Sequence, residues 1–139
     1  MPGASKTNIE YRTGYKYSLW TTVEIPTKVT GYSVSHKLFA LNPNGLLTIY
    51  EDYPWDGPSG PTIDTPSSMR ASLVHDALYE MMRLGLIPQS CFTPANEELM
   101  RIAIEDGMWV WRAKLWFAML ERFGSVNAAL RPEKILTAP

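Results

Sequence analysis

The first half of the chain alternates apolar and polar residues in short runs, a pattern typical of half-buried strands. The runs YSLWTTVEI, KVTGYSVSHKLFAL and LLTIYEDY are rich in β-branched and aromatic residues, and turn-forming residues separate them. Strands joined by such short connections pair antiparallel. We therefore predict a small antiparallel β-meander over residues 15–53.

Turn-forming residues mark the inside and the end of this meander. Asn44-Gly45 predicts a type I′ turn, because that turn needs a positive φ at both central positions and Asn and Gly accept it most cheaply. Residues 54–65 and the following Pro66 hold four prolines and two glycines, which argues against regular structure. We predict a shaped Gly/Pro loop over 54–65.

Helical periodicity begins after this loop. Thr65 can cap a helix, Pro66 suits its first turn, and Gly85 is a natural stop, so a helix is predicted over 66–84. Apolar residues fall on two adjoining sides of this helix, which predicts that most of its surface is covered: Met69, Leu73, Ala77 and Met81 on one side, and Ala71, Leu78, Tyr79 and Met82 on the other.

A second helical stretch is predicted over 94–123. Thr93 is its expected cap and Pro94 opens it, while Gly107 is a point where it can break or kink, because Gly costs about 1 kcal/mol relative to Ala within a helix. Residues 124–139 are predicted to form an extended surface tail.

These elements predict one α+β domain spanning residues 1–139. At 139 residues the chain is long enough for one hydrophobic core and short for two. We expect the β-meander to pack on two long antiparallel helices.

Composition and charge narrow the classes of function. Lysine and arginine number 13 against 14 aspartates and glutamates, a net charge of -1, which leaves no surplus to neutralise nucleic-acid phosphates. Cys91 is the single cysteine, so no internal disulfide can form and a cytosolic location is expected. No apolar run reaches the roughly 18 residues of a membrane span, and the N-terminus lacks an apolar signal core. We expect neither nucleic-acid binding nor a transmembrane segment.

The stretch SLVHDALY carries the most chemistry. His75 and Tyr79 are four residues apart and share a helix face, whereas Asp76 is rotated by about 100°. An imidazole can take a proton from water near neutral pH when a second group orients its other nitrogen, so His75 is a candidate general base. In the alternative, His75 is a structural core residue and Asp76 caps the helix or pairs with Arg70 or Arg83.

Asp76 also suggests a metal site. Its carboxylate, aimed at the preceding loop WDGPSGPTID, could complete a cage of backbone carbonyl oxygens around calcium. Glycine lets carbonyls turn inward and proline stiffens the loop. A base beside a cation that polarises a carbonyl would suit ester hydrolysis by an activated water.

These residues resemble a known arrangement. HDALY is similar to the HD-x-x-Y helix of the phospholipase A₂ superfamily, and GPSGP (57–61) followed by ASLVHDALY (71–79) looks most like its viral branch. The resemblance implies that His75 is the base and that Tyr79 belongs to its hydrogen-bond network. It also implies a calcium site in which Asp76 is joined by the loop residues Gly57, Ser59 and Gly60.

The superfamily orients its histidine with an aspartate on the second, antiparallel helix. The corresponding stretch here, TPANEELM, offers Asn96 instead. An amide can accept the imidazole hydrogen bond but cannot stabilise the imidazolium by charge, and such a replacement can cost several orders of magnitude in rate.

A second resemblance covers nearly the whole chain. From IPTKVTGYSVSHKLFALNPNGLLTI through WDGPSGPTIDTPSSMRASLVHDALYEMMR to IEDGMWVWRAKLWFAML, it resembles a family of short uncharacterised phage and prophage proteins, a domain of unknown function. The resemblance implies a bacteriophage origin. The expected location is the host cytoplasm during infection, or the virion.

The tryptophans offer a different kind of surface. Trp109, Trp116 and Leu120 recur at helical spacing with Ile102 and Phe123, which predicts a core stripe. Trp111 falls off that stripe and, with Trp55, could form an exposed aromatic rim for a membrane interface or a protein partner. The alternative is that these rings close the domain.

Three functions therefore stand side by side. The first is a calcium-dependent phospholipid or ester hydrolase acting on a host membrane. The second is a non-catalytic virion or morphogenesis protein that retains the HD helix as structure and binds another phage protein. The third is an effector that binds a host protein. The first requires the Asp76 carboxylate and the carbonyls of residues 57–60 to converge and His75 to face an open pocket, and it fails if His75 is sealed inside the core.

Overall fold

A computed structural model describes residues 9, 11–12, 17–55 and 66–130. It confirms the α+β class, with antiparallel strands first and helices after them. Most of the predicted Gly/Pro loop, from residue 56 to 65, and the end of the predicted tail lie outside the described residues. Within those residues the strands are β1 (Tyr11–Arg12), β2 (Tyr17–Leu19), β3 (Val23–Pro26), β4 (Val34–Ser35), β5 (Phe39–Leu41), β6 (Leu46–Ile49) and β7 (Pro54–Trp55).

The strands form two antiparallel sheets rather than the single meander predicted. One has the order β1-β2-β7 and the other the order β3-β6-β5-β4. β2 pairs with β7, so the four strands of the second sheet lie in the chain between two neighbours of the first. Pro54–Trp55 was predicted as loop but forms the strand β7. A proline is tolerated there because β7 lies at the edge of its sheet, where the missing N–H costs no hydrogen bond between strands.

The predicted type I′ turn at Asn44-Gly45 is wrong. The turn spans Asn42 to Gly45, whose N–H donates to the Asn42 carbonyl at 2.9 Å, so Pro43 and Asn44 are its central residues. Asn44 has a negative φ, whereas Gly45 has a φ of 96°. Proline's fixed φ suits the first central position, and glycine then supplies the left-handed residue of a three-residue hairpin loop.

The described helices are α1 (Pro66–Arg83), α2 (Phe92–Glu105), α3 (Val110–Phe123) and α4 (Ser125–Ala128), with a 3-10 turn at Gln89–Cys91. Gly85, at a φ of 74°, ends α1 as predicted, since the Leu86 N–H returns to the Met81 carbonyl at 2.8 Å. The helical stretch predicted over 94–123 divides at Gly107, at a φ of 106°. α4 shows that the tail predicted from 124 onward is not wholly extended.

α1 is the centre of the hydrophobic core. Its apolar side chains are buried on nearly every side, as the sequence pattern predicts, and α2 is the helix that it contacts most extensively. Arg70 near its start donates to Glu105 at 2.7 Å and to Asp106 at 3.0 Å, both at the end of α2. This nearly buried ion pair fixes the antiparallel register of the two helices, and it gives these two carboxylates a structural role.

The tryptophans depart from the predicted arrangement. Trp116 is buried as predicted, but Trp109 and Phe123, assigned to the same core stripe, are exposed. Of the two residues of the possible aromatic rim, Trp111 is exposed, whereas Trp55 is buried and its indole N–H donates to Ser72 at 3.1 Å. Trp109 is the N-cap and Phe123 the last residue of α3, so they share the helical spacing of Trp116 but lie at the two ends of the helix and are not buried with it.

Candidate functional site

Three of the predicted site residues meet between α1 and α2. His75 Nε2 lies 2.7 Å from Asn96 Oδ1, and the Tyr79 hydroxyl donates to the same oxygen at 2.7 Å. The rings of His75 and Tyr79, one helical turn apart, lie with their centroids 3.9 Å from each other. The HD helix and the second helix therefore place His75, Tyr79 and Asn96 in direct contact.

Asn96 is in turn fixed by a carboxylate that sequence reasoning missed. Its side-chain N–H donates to Glu121 Oε2 at 2.7 Å, and the other oxygen of Glu121 accepts a bond from Thr93 at 2.9 Å. Thr93, predicted as a helix cap, has this role instead, because α2 already begins at Phe92. The contact depends on how α3 packs across α2, so no local motif could have found it. We call His75, Tyr79, Asn96, Glu121 and Thr93 the site network.

The network determines which nitrogen of His75 carries the proton. Glu121, when ionised, only accepts hydrogen bonds, so the amide of Asn96 must face it with NH₂ and turn its oxygen toward His75. That oxygen also only accepts, so His75 Nε2 is the protonated nitrogen. In the neutral ring Nδ1 then holds a lone pair, and it has no hydrogen-bond partner among the described residues.

Burial controls the protonation of the site. His75 is 8% exposed. Its pKa is lowered to about 4, chiefly by desolvation and further by the charge of Arg83, while the Asn96 bond opposes the change. Burial likewise raises the pKa of Tyr79, which therefore stays a hydrogen-bond donor. At neutral pH the imidazole is in its free-base form.

The end of α3 closes against this network. A Cβ on Gly124 would lie 2.7 Å from the Tyr79 hydroxyl and 2.6 Å from the Leu120 carbonyl oxygen. Both distances are too short for a side chain, so glycine permits the close approach. Glu121 precedes Gly124 by three residues, and the last turn of α3 therefore reaches both Asn96 and Tyr79.

Asp76 faces the strands instead of α2. Its carboxylate accepts a 2.6 Å hydrogen bond from the hydroxyl of Tyr53, a residue that follows the second sheet in the chain. Burial and the charge of Asp76 raise the pKa of Tyr53 well above its ordinary value, so it remains a donor. Both residues line a cleft of about 230 Å³ between β7 and α1, together with Glu80 and Arg83. His75 is not among the described residues that line this cleft.

The described residues supply part of what calcium would need. Asp76 offers a half-buried carboxylate beside β7, the strand that leads into the predicted loop. Glu80 lines the same cleft but is bound by Arg83 at 2.6 Å. No group of three His, Cys, Asp or Glu residues within the described chain could hold a metal. The carboxylate oxygens of Asp76 are the type of ligand that calcium prefers. The other predicted ligands, Gly57, Ser59 and Gly60, lie outside the described residues.

Two other residues with reactive side chains, His36 and Cys91, lie elsewhere in the fold. His36 Nδ1 accepts the Leu38 N–H at 3.1 Å, and its ring stacks on Phe39. Cys91 is a buried thiol at the start of α2. Neither belongs to the site network.

Comparison with known proteins adds no relative to this picture: no protein-family model, curated protein or solved structure matches the chain.

Proposed function

We propose that this protein is a phage-encoded, calcium-dependent hydrolase of phospholipids or related esters, with His75 as its general base. The observation that carries the proposal is the bond from His75 Nε2 to Asn96. Because Asn96 fixes the protonated nitrogen, it leaves Nδ1 as the base, which is the tautomer that water activation requires. The sequence resemblance to the HD-x-x-Y helix supports the same assignment.

The proposed step begins with proton transfer from a water to His75 Nδ1. The water oxygen attacks the ester carbonyl, and the imidazolium later returns the proton to the leaving alkoxide. Tyr79 and Asn96 hold the ring in place throughout. Asp76 would hold calcium together with carbonyls of the 57–60 loop, and the bound ion would polarise the ester carbonyl.

The low pKa of His75 sets a limit on this chemistry. A base with a pKa of about 4 is fully deprotonated at pH 7 but has a low affinity for the proton it must take. The carboxylate of Glu121 reaches the imidazole only through Asn96, whereas an aspartate partner would bind the ring directly. We therefore expect slow turnover.

Within the described residues, none of the helices combines the length and the apolar character that crossing a bilayer would require.

The proposal is tested by calcium titration calorimetry and by release of fatty acid from mixed phospholipid vesicles. Wild-type protein should bind calcium and release fatty acid, and Asp76→Asn should lose both. His75→Gln should keep calcium binding and lose release, because the substituted amide can still donate to Asn96 but offers no basic nitrogen.

Glu97→Gln is the matched control, since it removes an exposed carboxylate of α2 that is not part of the site network. It should leave both measurements unchanged. Release that persists in His75→Gln would show that the imidazole is not the base.

The burial of His75 favours a second candidate, a non-catalytic virion, morphogenesis or host-binding protein. An imidazole 8% exposed and fixed between two helices is also what a structural histidine looks like. Calcium binding without any release of fatty acid would support this function, and purification from intact phage particles would assign it to the virion.

A further inference from the structure

α3 has apolar side chains on both of its faces. Ala113 and Trp116 are buried against the rest of the protein. The rest of α3, including its start and its end, exposes large apolar side chains, from 37% for Met119 to 69% for Trp109, and the set comprises Trp109, Val110, Trp111, Leu115, Met119 and Phe123. We call this set the α3 outer face. An exposed apolar surface of this extent marks an interaction site.

The charges on α3 indicate what would cover it. The helix has three basic residues, Arg112, Lys114 and Arg122, against one acidic residue, Glu121. None of the three basic side chains forms an ion pair within the described residues, and the Arg122 guanidinium lies 5.4 Å from the Phe123 ring centroid. The acidic side chain instead turns inward to Asn96 and Thr93. The helix thus offers cations and apolar side chains together, although the chain as a whole has a net charge of -1.

We propose that the α3 outer face docks on an anionic phospholipid surface. Lysine and arginine would lie at the level of the headgroups, while tryptophan, leucine and phenylalanine enter the boundary with the acyl chains, as in helices that lie in the plane of a membrane. Unpaired cations favour an anionic lipid surface over a second copy of the chain, whose identical cations would be brought near one another.

The position of α3 connects this surface to the site. Its last turn contains Phe123 on the outer face and Glu121 in the site network, two residues apart. A protein docked through α3 would therefore hold the site network close to the lipid. This part of the inference rests on the proposed function, because it identifies the surface from which the site would take its phospholipid; docking itself needs no catalysis.

Co-sedimentation with vesicles tests the docking. We expect wild-type protein to sediment with vesicles of phosphatidylglycerol and phosphatidylcholine and to remain in solution with phosphatidylcholine alone. Lys114→Gln with Arg122→Gln should weaken binding by roughly fivefold for each cation removed. Raising the salt concentration should weaken the wild-type interaction as well.

A triple variant, Trp111→Ser with Leu115→Ser and Phe123→Ser, should abolish sedimentation, whereas Trp20→Ser, which changes an exposed tryptophan outside α3, should not. Circular dichroism checks that each variant is folded. The double charge variant gives an independent result if the triple variant does not fold.

His75→Gln separates this proposal from the proposed function, because it should bind vesicles normally whether or not the wild-type protein is an enzyme. Equal binding of wild type and both α3 variants, or no binding to anionic vesicles, would overturn the docking. A dimer in sedimentation velocity that the triple variant dissociates would overturn it in favour of self-association.

Discussion

Asn96 determines how far the negative charge of Glu121 lies from the imidazole of His75. Its oxygen accepts from His75 and its nitrogen donates to Glu121, so the amide separates the carboxylate from the ring. An aspartate at position 96 beside an unchanged Glu121 would bring two carboxylates into contact, and one of them would be forced to take a proton. Asparagine at position 96 and glutamate at 121 therefore form a matched pair.

Exchanging the two groups should move the charge to the ring. In the double variant Asn96→Asp with Glu121→Gln, the new carboxylate can accept from His75, from Tyr79 and from the amide introduced at position 121. We expect the pKa of His75, measured by NMR titration, to rise by roughly 1 to 3 units relative to wild type. If the protein is a hydrolase, its rate should rise as well.

Glu121→Gln alone is the matched single variant for this experiment. It removes the charge and leaves the amide of Asn96 free to turn, so it should not raise the pKa of His75. An unchanged pKa in the double variant would mean that position 96 does not control the basicity of the ring.

At the level of single residues, the sequence predicted the three residues at the centre of the site network and missed the two that hold Asn96 in place. His75 and Tyr79 follow from their helical spacing, Asn96 was named through the family resemblance, and the structure joins all three. Glu121 and Thr93 could not be found in this way, because their contact depends on where α3 crosses α2, which no local pattern encodes.

The secondary-structure elements divide into those set by local rules and those set by packing. Gly85 and Gly107 interrupt the helices at positive φ, as their sequence positions suggest. The Asn42–Gly45 turn follows Pro43 rather than the Asn-Gly pair. The split into two sheets was beyond local reasoning, since β2 pairs with β7 only after the chain has passed through the whole of the second sheet.

Gly45 should be the most sensitive glycine of the strand region. It has a φ of 96°, and an added Cβ would lie 2.3 Å from the Thr27 carbonyl oxygen. Gly45→Ala therefore combines backbone strain with a clash against backbone, and we expect it to lower the free energy of unfolding by about 2 to 4 kcal/mol. Urea denaturation monitored by circular dichroism measures the loss.

Gly31→Ala separates the two causes. Gly31 has a similar φ of 91° but no atom within 4 Å of the added Cβ, so only strain remains, about 1 kcal/mol. Equal losses in the two variants would show that the contact with Thr27 contributes nothing.

For the whole molecule, the buried imidazole should make stability depend on pH. The pKa of His75 is about 4 in the folded protein and near its ordinary 6.5 when unfolded, so the unfolded chain binds more protons between these values. The free energy of unfolding is therefore highest above pH 6.5. It decreases as the pH is lowered from 6.5 to about 4, because protonation of His75 favours the unfolded chain over this interval. The expected loss is about 3 kcal/mol.

His75→Gln removes this titration and should flatten the dependence in the same interval. Urea denaturation of both proteins between pH 7 and pH 4 measures the difference. Parallel curves for wild type and variant would mean that His75 is solvated enough to titrate normally.

The reactivity of the Cys91 thiol can be used to measure local unfolding at the start of α2. The thiol is buried at the start of α2, two residues before Thr93, and it is the single cysteine of the sequence. A thiol reagent can modify Cys91 when this segment opens. At low reagent concentration, the rate of modification divided by the rate for an unstructured cysteine peptide gives the equilibrium constant, and so the free energy, of that local opening. Slower modification on adding calcium or anionic vesicles would show that the ligand stabilises the segment that holds Asn96 against opening.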